Sequence, residues 1–400
     1  MPETVTATPE TVRGAPSAPA GAALRATLTA GFRLDVVPNL FAPDNPVLAD
    51  AWGAARRLLV VRDDVAGERS ELLIGYLRAA RQRGDLDDFH CVDADAGTAA
   101  DEPRMAGVGA CGYVVEAAVK AQLGRRDAVV AFGGERTGRV VAVAAASFRR
   151  HTAAVRVHRD LTAVLGCLRD GWRAALDDDG ITALARRTHV IVDENGVLAR
   201  PAERATLLSL AVLDPDLLDR LAGKEGVRSD VDSAQVDGLA AILRLCRRLG
   251  PGHPAWRIGE AWLPLAPAGL SKSERHAWSL LTAARVAHRL GLLPAQTVRA
   301  LDRLANALTL GTPAPALDPT TARRWAANAT TADNKITVIL PTAHDPAKPV
   351  TLDPPTLTDA LTDALTDALT DAPLIEEVSW VSNPAKNCQF SPATSPIAGG

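Results

Sequence analysis

The stretch DAVVAFGGERTGRVVAVAAASFRR, residues 127–150, constrains this chain more than any other. Its first six residues are apolar and β-branched enough for a buried strand, Gly133 and Gly134 permit a tight turn, and 138–147 is a small, apolar helix. A strand, a glycine turn and a helix in this order are the opening unit of nucleotide-binding α/β domains, in which backbone N–H groups at the helix start face an anion. The full glycine-rich dinucleotide pattern is absent, because Glu135 and Arg136 follow the glycine pair.

The same rhythm extends on both sides. Strands near 57–61, 127–132, 153–157 and 189–193 alternate with helices near 71–83, 107–123 and 138–147, which predicts a parallel sheet. From residue 202 onward apolar residues recur at three- and four-residue spacing and the runs stop at Gly or Pro, which predicts helices. The expected class is α/β + α: a Rossmann-like parallel-sheet domain over 31–192 and an α-helical domain over 193–340. A ligand is expected in the cleft between them.

The ends differ in composition. Residues 1–30 read as a disordered Pro/Ala/Thr leader without the basic and apolar regions of a signal peptide, so a cytoplasmic location is expected. Residues 341–372 read as a proline-rich linker followed by LTDALTDALTDALTDA, a period-four run that advances about 400° per repeat on a helix and is expected to be a solvated spacer or a binding helix. Residues 373–400 form a Ser/Thr/Pro tail with one cysteine. It reads either as a frayed terminus or as the core of a ribosomally made peptide precursor, with Cys388, Ser379, Ser382, Ser391, Thr394 and Ser395 open to modification.

Composition narrows the function classes. A 47% hydrophobic content over 400 residues suits two packed domains, and no run is apolar enough to span a membrane. A net charge of -3 excludes a global field for nucleic acid or an acidic membrane. Cys91, Cys111, Cys167, Cys246 and Cys388 are scattered, which argues against a disulfide framework and a cysteine zinc site.

Several segments keep a common order along the chain: NLFAPDNPVLADAW (39–52) with RRLLVVRDDV (56–65), the glycine-turn unit, FRRHTAAVRV (148–157), VIVDENGVLARPAERATLLSLAVLDPDLLDRL (190–221) and LSKSERHAWSLLTAARVAHRLGLL (270–293). Together they resemble the sugar phosphate cyclases, the family of dehydroquinate synthase, and most of all its 2-epi-5-epi-valiolone synthase branch. The resemblance implies a dehydroquinate synthase-like fold, paired subunits, NAD, a divalent metal, and a cyclisation that oxidises a ring hydroxyl, eliminates phosphate, re-reduces and closes a carbocycle.

Position by position, the resemblance also implies departures. The metal-binding glutamate falls at Ala205, with Glu203 two residues off, and the two histidines fall at His253 and Lys272. His253 reads as a single retained ligand or as an ordinary turn residue, and His276 as a possible recruit in a new geometry. The residual cofactor positions are Gly133, Gly134 and Asp63, the last beside Arg62, which stands where an acidic residue is expected. The phosphate-binding turn reads His158-Arg159-Asp160, a lysine position reads Leu208, and 333–335 (Asp-Asn-Lys) is the one lysine segment kept. Arg159, Arg169 and Arg173 form a candidate replacement anion site, or plain surface arginines.

Two functions are carried forward. The first is a catalytically degenerate cyclase homologue, a binding or scaffold protein of specialised metabolism that partners a tailoring enzyme or an active cyclase and presents its tail. The second is a working enzyme with Lys272 and Glu274 as catalytic candidates: an active NAD- and metal-dependent cyclase with a rebuilt site, acting on a sedoheptulose 7-phosphate-type substrate, or a metal-independent activity around His253, Glu260, Lys272 and Glu274.

Overall fold

The computed structural model describes residues 24–29, 32–63, 67–94, 107–150, 152–171, 173–176, 181–184, 188–198, 204–222, 231–310, 319–329 and 333–370. The first half builds β1 (Leu24–Thr29), β2 (Phe32–Val37), α1 (Val47–Trp52), β3 (Arg57–Arg62), α2 (Glu68–Arg83), β4 (Asp88–Asp93), α3 (Gly107–Lys120), β5 (Ala128–Phe132), α4 (Glu135–Ser147), β6 (Ala153–His158), α5 (Leu161–Asp170), β7 (Arg173–Leu176), β8 (Ile181–Leu184) and β9 (Thr188–Asp193). Seven of these strands form one sheet in the order β1-β2-β9-β6-β5-β3-β4, with six parallel and β1 antiparallel at one edge. β7 and β8 make a separate hairpin beside α4.

Alternation along the strands sorts the side chains between two layers. Leu58 and Val60 of β3 and Val130 of β5 pack with Leu73 and Leu77 of α2, while Leu59, Val61 and Val129 face Val114 of α3 and Val140 of α4. Both faces are covered, so these strands are apolar almost without interruption.

The second half is helical: α6 (Glu194–Leu198), α7 (Arg204–Leu213), α8 (Pro215–Ala222), α9 (Val231–Leu249), α10 (Lys272–Arg289), α11 (Ala295–Ala307) and α12 (Pro319–Ala329). It ends with the antiparallel hairpin β10 (Ile336–Leu340) and β11 (Lys348–Leu352), then α13 (Pro354–Thr370). α10 is the hub, touching α7, α11 and α13.

Three expectations change. The segment taken as leader contributes an edge strand, because residues 24–29 pair with β2. The proline-rich stretch after 340 is no linker: it turns β10 back on itself, and the valine and leucine of KPVTL pack against the helical core. The LTDA run is a core helix. Leu357, Ala360, Leu361, Ala364 and Leu365 are buried against α10 and α12, while Asp359 and Asp363 face outward. The leader before residue 24 and the tail positions Cys388, Ser379, Ser382, Ser391, Thr394 and Ser395 lie outside the described residues.

Candidate functional site

In an open parallel sheet, ligands bind outside the carboxyl ends of the strands. Here β3, β5, β6 and β9 end in Arg62, Phe132, His158 and Asp193, and the chain passes from these ends into Asp63, the Gly133-Gly134 turn and the Arg159-Asp160 turn. All of these end groups except Phe132 are polar, and each is held by a neighbour.

Asp63 fills the glycine turn. Its Oδ2 accepts the Gly134 N–H at 2.6 Å and the Thr137 hydroxyl at 3.0 Å, and its Oδ1 accepts from Arg159 Nη2 at 3.3 Å. A Cβ built on Gly133 would lie 2.1 Å from that same Oδ2, so glycine is required there by the carboxylate itself. Arg159 lies over the Phe132 ring, 4.9 Å from its centroid. The amino-terminal N–H groups of α4 therefore face an internal anion.

The neighbouring ends are paired in the same way. Arg62 donates to Asp93 at 2.7 Å and to Ser70 at 3.0 Å, tying β3 to β4 and α2. Asp193 is fully buried and accepts a bidentate pair from Arg69, one bond of which is 2.8 Å. Burial raises the Asp193 carboxyl above its ordinary value, against the pull of Arg69.

A chain of ion pairs runs from α4 toward the helical domain. Glu135, in the first turn of α4, meets Arg139 at 2.6 Å and also Arg169 of α5. Arg139 is buried and pairs with Asp170 at 2.8 Å, and Arg169 reaches on to Glu260 at 3.4 Å. Glu260 begins the short 3-10 helix Glu260–Leu265 of the helical half, and burial raises its carboxyl against the opposing charge of Arg169. Gly166 makes room for this network, since a Cβ there would lie 2.4 Å from Glu135 Oε1.

On the helical side, the predicted residues are placed but not gathered into one donor set. Ala205 is buried in α7. His253 caps the 3-10 helix Pro254–Arg257, its Nδ1 accepting the Ala255 N–H at 3.2 Å, and burial lowers its basicity. Lys272 is the exposed first residue of α10. Glu274 closes a capping box with Ser271, whose N–H it accepts at 2.8 Å; bonds from Ser271 hold its carboxyl below the usual range. His276, the next turn in, bonds Ser209 Oγ at 3.0 Å, and burial, with Arg169 and Lys272 nearby, brings it down to about 4. Among the described residues, no group of three or more His, Cys, Asp or Glu side chains is arranged to hold a metal ion.

Of the three arginines read as an anion site, Arg159 and Arg169 are tied to carboxylates, and the Arg173 side chain is outside the described set. Sequence reasoning passed over a different cluster. Arg156 and His158, two apart on β6, project to one face and meet Cys167 of α5 at 3.1 and 3.0 Å, all three buried. The available signal was the pair of cations at strand spacing in an otherwise apolar run.

No protein-family model matches the sequence, and no curated protein sequence matches it either. Solved structures do match. The 2-epi-5-epi-valiolone synthase of Streptomyces hygroscopicus subsp. jinggangensis, a structure with NAD+ and Zn2+ bound, superposes with a TM-score of 0.65 at 22% identity, over 86% of this chain and 99% of that one. The fold is that of the sugar phosphate cyclases. A 2-deoxy-scyllo-inosose synthase holding carbaglucose-6-phosphate, NAD+ and Co2+ superposes at 0.60 with 15% identity, over 86% and 99% of the two chains. Maleylacetate reductase from Agrobacterium tumefaciens follows at 0.54 with 18% identity, over 84% and 96%. Essentially the whole length of these cyclase structures is thus covered, which accords with the hairpin and α13 being packed parts of the fold. No helix among the described residues is long and apolar enough to cross a membrane.

Proposed function

We propose that this protein keeps the cyclase fold without the cyclase chemistry and acts as a binding or scaffold protein in specialised metabolism, with the tail 373–400 as the segment it presents to a modifying enzyme. The observation that carries the reading is Asp63. A dinucleotide pyrophosphate would bring two negative charges to the amino terminus of α4, where the Asp63 carboxylate already accepts the Gly134 N–H and the Thr137 hydroxyl. The residues present do not fit NAD in the manner of a glycine-rich turn.

They do not fit a catalytic divalent metal either. A metal site of this kind needs three protein donors around an open position. The positions that the resemblance marks for them hold a methyl group at Ala205, a capping imidazole at His253 and an ammonium at Lys272. The proposed catalytic carboxylate Glu274 is spent on its own helix cap. Among the described residues, the arginines read as a sugar phosphate site, Arg159 and Arg169, are paired with carboxylates rather than left to converge on a phosphate.

The test is calorimetric titration of the full chain with NAD and, separately, with Zn2+, alongside turnover of a seven-carbon sugar phosphate. No heat at micromolar ligand and no turnover are expected. Micromolar binding of either ligand with turnover sinks the scaffold reading and restores an active cyclase with a rebuilt site. For the tail, the mass of the protein from its natural producer decides. A covalent change mapping to 371–400 supports presentation of the tail, and an unmodified full-length mass removes that part.

A further inference from the structure

The cluster beneath the glycine turn, Arg156, His158 and Cys167, has a charge pattern of its own. Arg156 is fully buried, and its Nε and Nη2 have no hydrogen-bond partner in the structure. Its Nη1 donates to Cys167 Sγ at 3.1 Å. A guanidinium keeps its proton under all ordinary conditions, so burying one without an anion is prohibitively costly. Among the described residues no carboxylate pairs with Arg156, and the ionisable group it meets is the Cys167 thiol.

The third member offers the thiol proton an acceptor. His158 Nδ1 is 2.8 Å from the Gly133 carbonyl, which can only accept, so this nitrogen carries a hydrogen. Its Nε2 is 3.0 Å from Cys167 Sγ. With a proton on both nitrogens, the imidazolium bridges sulfur and the turn carbonyl, and Asp160 at the amino-terminal cap of α5 adds a favourable charge. The other group packed near this turn of α5 is Glu135, which lies against Gly166 and is taken up by Arg139 and Arg169.

We propose that Cys167 is held as a thiolate between Arg156 and His158, and that this buried anion, acting through the His158 imidazolium, anchors the Gly133 turn from beneath. Cys167 is a positioning residue, and the proton it gives up resides on His158. Ionisation costs follow the same order. Burial opposes charge on Cys167, but His158 and Arg156 outweigh it and hold the thiol below its ordinary value. Cys91, Cys111 and Cys246 are all raised by burial, Cys111 to about 11 and Cys246 to about 12, and at Cys91 the charges of Arg62 and Arg78 do not outweigh it. Gly138 is what lets α4 lie over the cluster, since a Cβ there would come within 2.8 Å of His158 Cε1.

The experiment is an ultraviolet titration of the folded full chain, with Cys167→Ser as the blank. The thiolate band assigned to residue 167 is expected at neutral pH, well below the ordinary thiol value of about 8.5. A difference band that appears only above that value overturns the proposal. Coupling to the turn is read by hydrogen exchange across residues 133–137 in Cys167→Ser and Cys167→Asp. Serine, neutral and nearly isosteric, is expected to speed exchange there by roughly tenfold, and aspartate, which keeps an anion, by less. Exchange in the serine variant equal to wild type overturns the anchoring role. Should either variant fail to fold, the titration is repeated against His158→Gln, which retains the Gly133 contact and should move the wild-type band upward. A band unmoved by that change overturns the pairing.

Discussion

The glycine turn at 133–134 and the LTDA repeat at 357–372 exchange the roles that their compositions suggest. The turn has the look of a ligand site, and what it holds is Asp63 from the end of β3. The repeat has the look of a solvated spacer, and its Leu357, Ala360, Leu361, Ala364 and Leu365 line the core beneath α10 and α12. The difference teaches that a segment's role follows from what covers it. An anion cradle is empty only if no nearby carboxylate can reach it, and a low-complexity helix is a spacer only if no apolar face lies opposite.

The sharpest way to break this comparison is at the repeat. Leu361→Ala should lower stability by about 2–5 kcal/mol, read by urea denaturation, because a fully buried leucine leaves a cavity. A loss below about 0.5 kcal/mol, the range of an ordinary surface change, would return the repeat to solvent. Next is His276, on the helix that α13 packs against. Its folded value of about 4 lies below the ordinary 6.5, so the unfolded chain binds the extra proton between those values. Stability should therefore be full above the ordinary value and fall by on the order of 2–3 kcal/mol as pH drops toward 4. The slope of denaturation midpoint against pH should flatten in His276→Gln, and an unchanged slope would show that another group carries the dependence.

At the turn, Gly138→Ala should cost about 1–3 kcal/mol despite alanine's better helix propensity. The reason is that His158, fixed at both ring nitrogens, cannot retreat from the new methyl. A thermal melt unchanged or raised would mean that α4 slides freely over the cluster. The smallest effect sharpens the contrast with the first. Deleting one repeat, residues 361–364, restores the same residue at every place from 357 through 368, so stability should stay within about 0.5 kcal/mol of wild type. A loss as large as that of Leu361→Ala would mean that the far end of the helix also bears on the core.

Much of the fold was legible. Apolar, β-branched runs marked β3, β5, β6 and β9, and three- and four-residue spacing marked the helices from 204 onward. The edge strands β1 and β4 left little trace, because their sequences mix polar and apolar residues, and no residue of β4 is fully buried. In the site, Gly133, Gly134, Asp63, His253, Lys272 and Glu274 were all readable as positions. Their partners were not, since Asp63 meets Gly134 across seventy-one positions and Arg169 meets Glu260 across the two halves of the chain.

By itself, then, the sequence determined the central strands and most helices, where the backbone turns, and which residue types stand at the crevice, because propensity, periodicity and glycine are local properties. Only the tertiary structure decided that Asp63 and Arg159 meet, that Glu274 serves its own helix, that the LTDA face over 357–365 is buried and that Arg156 faces a thiol. Charge pairing and burial depend on distances between segments far apart in the chain, and no local pattern encodes them.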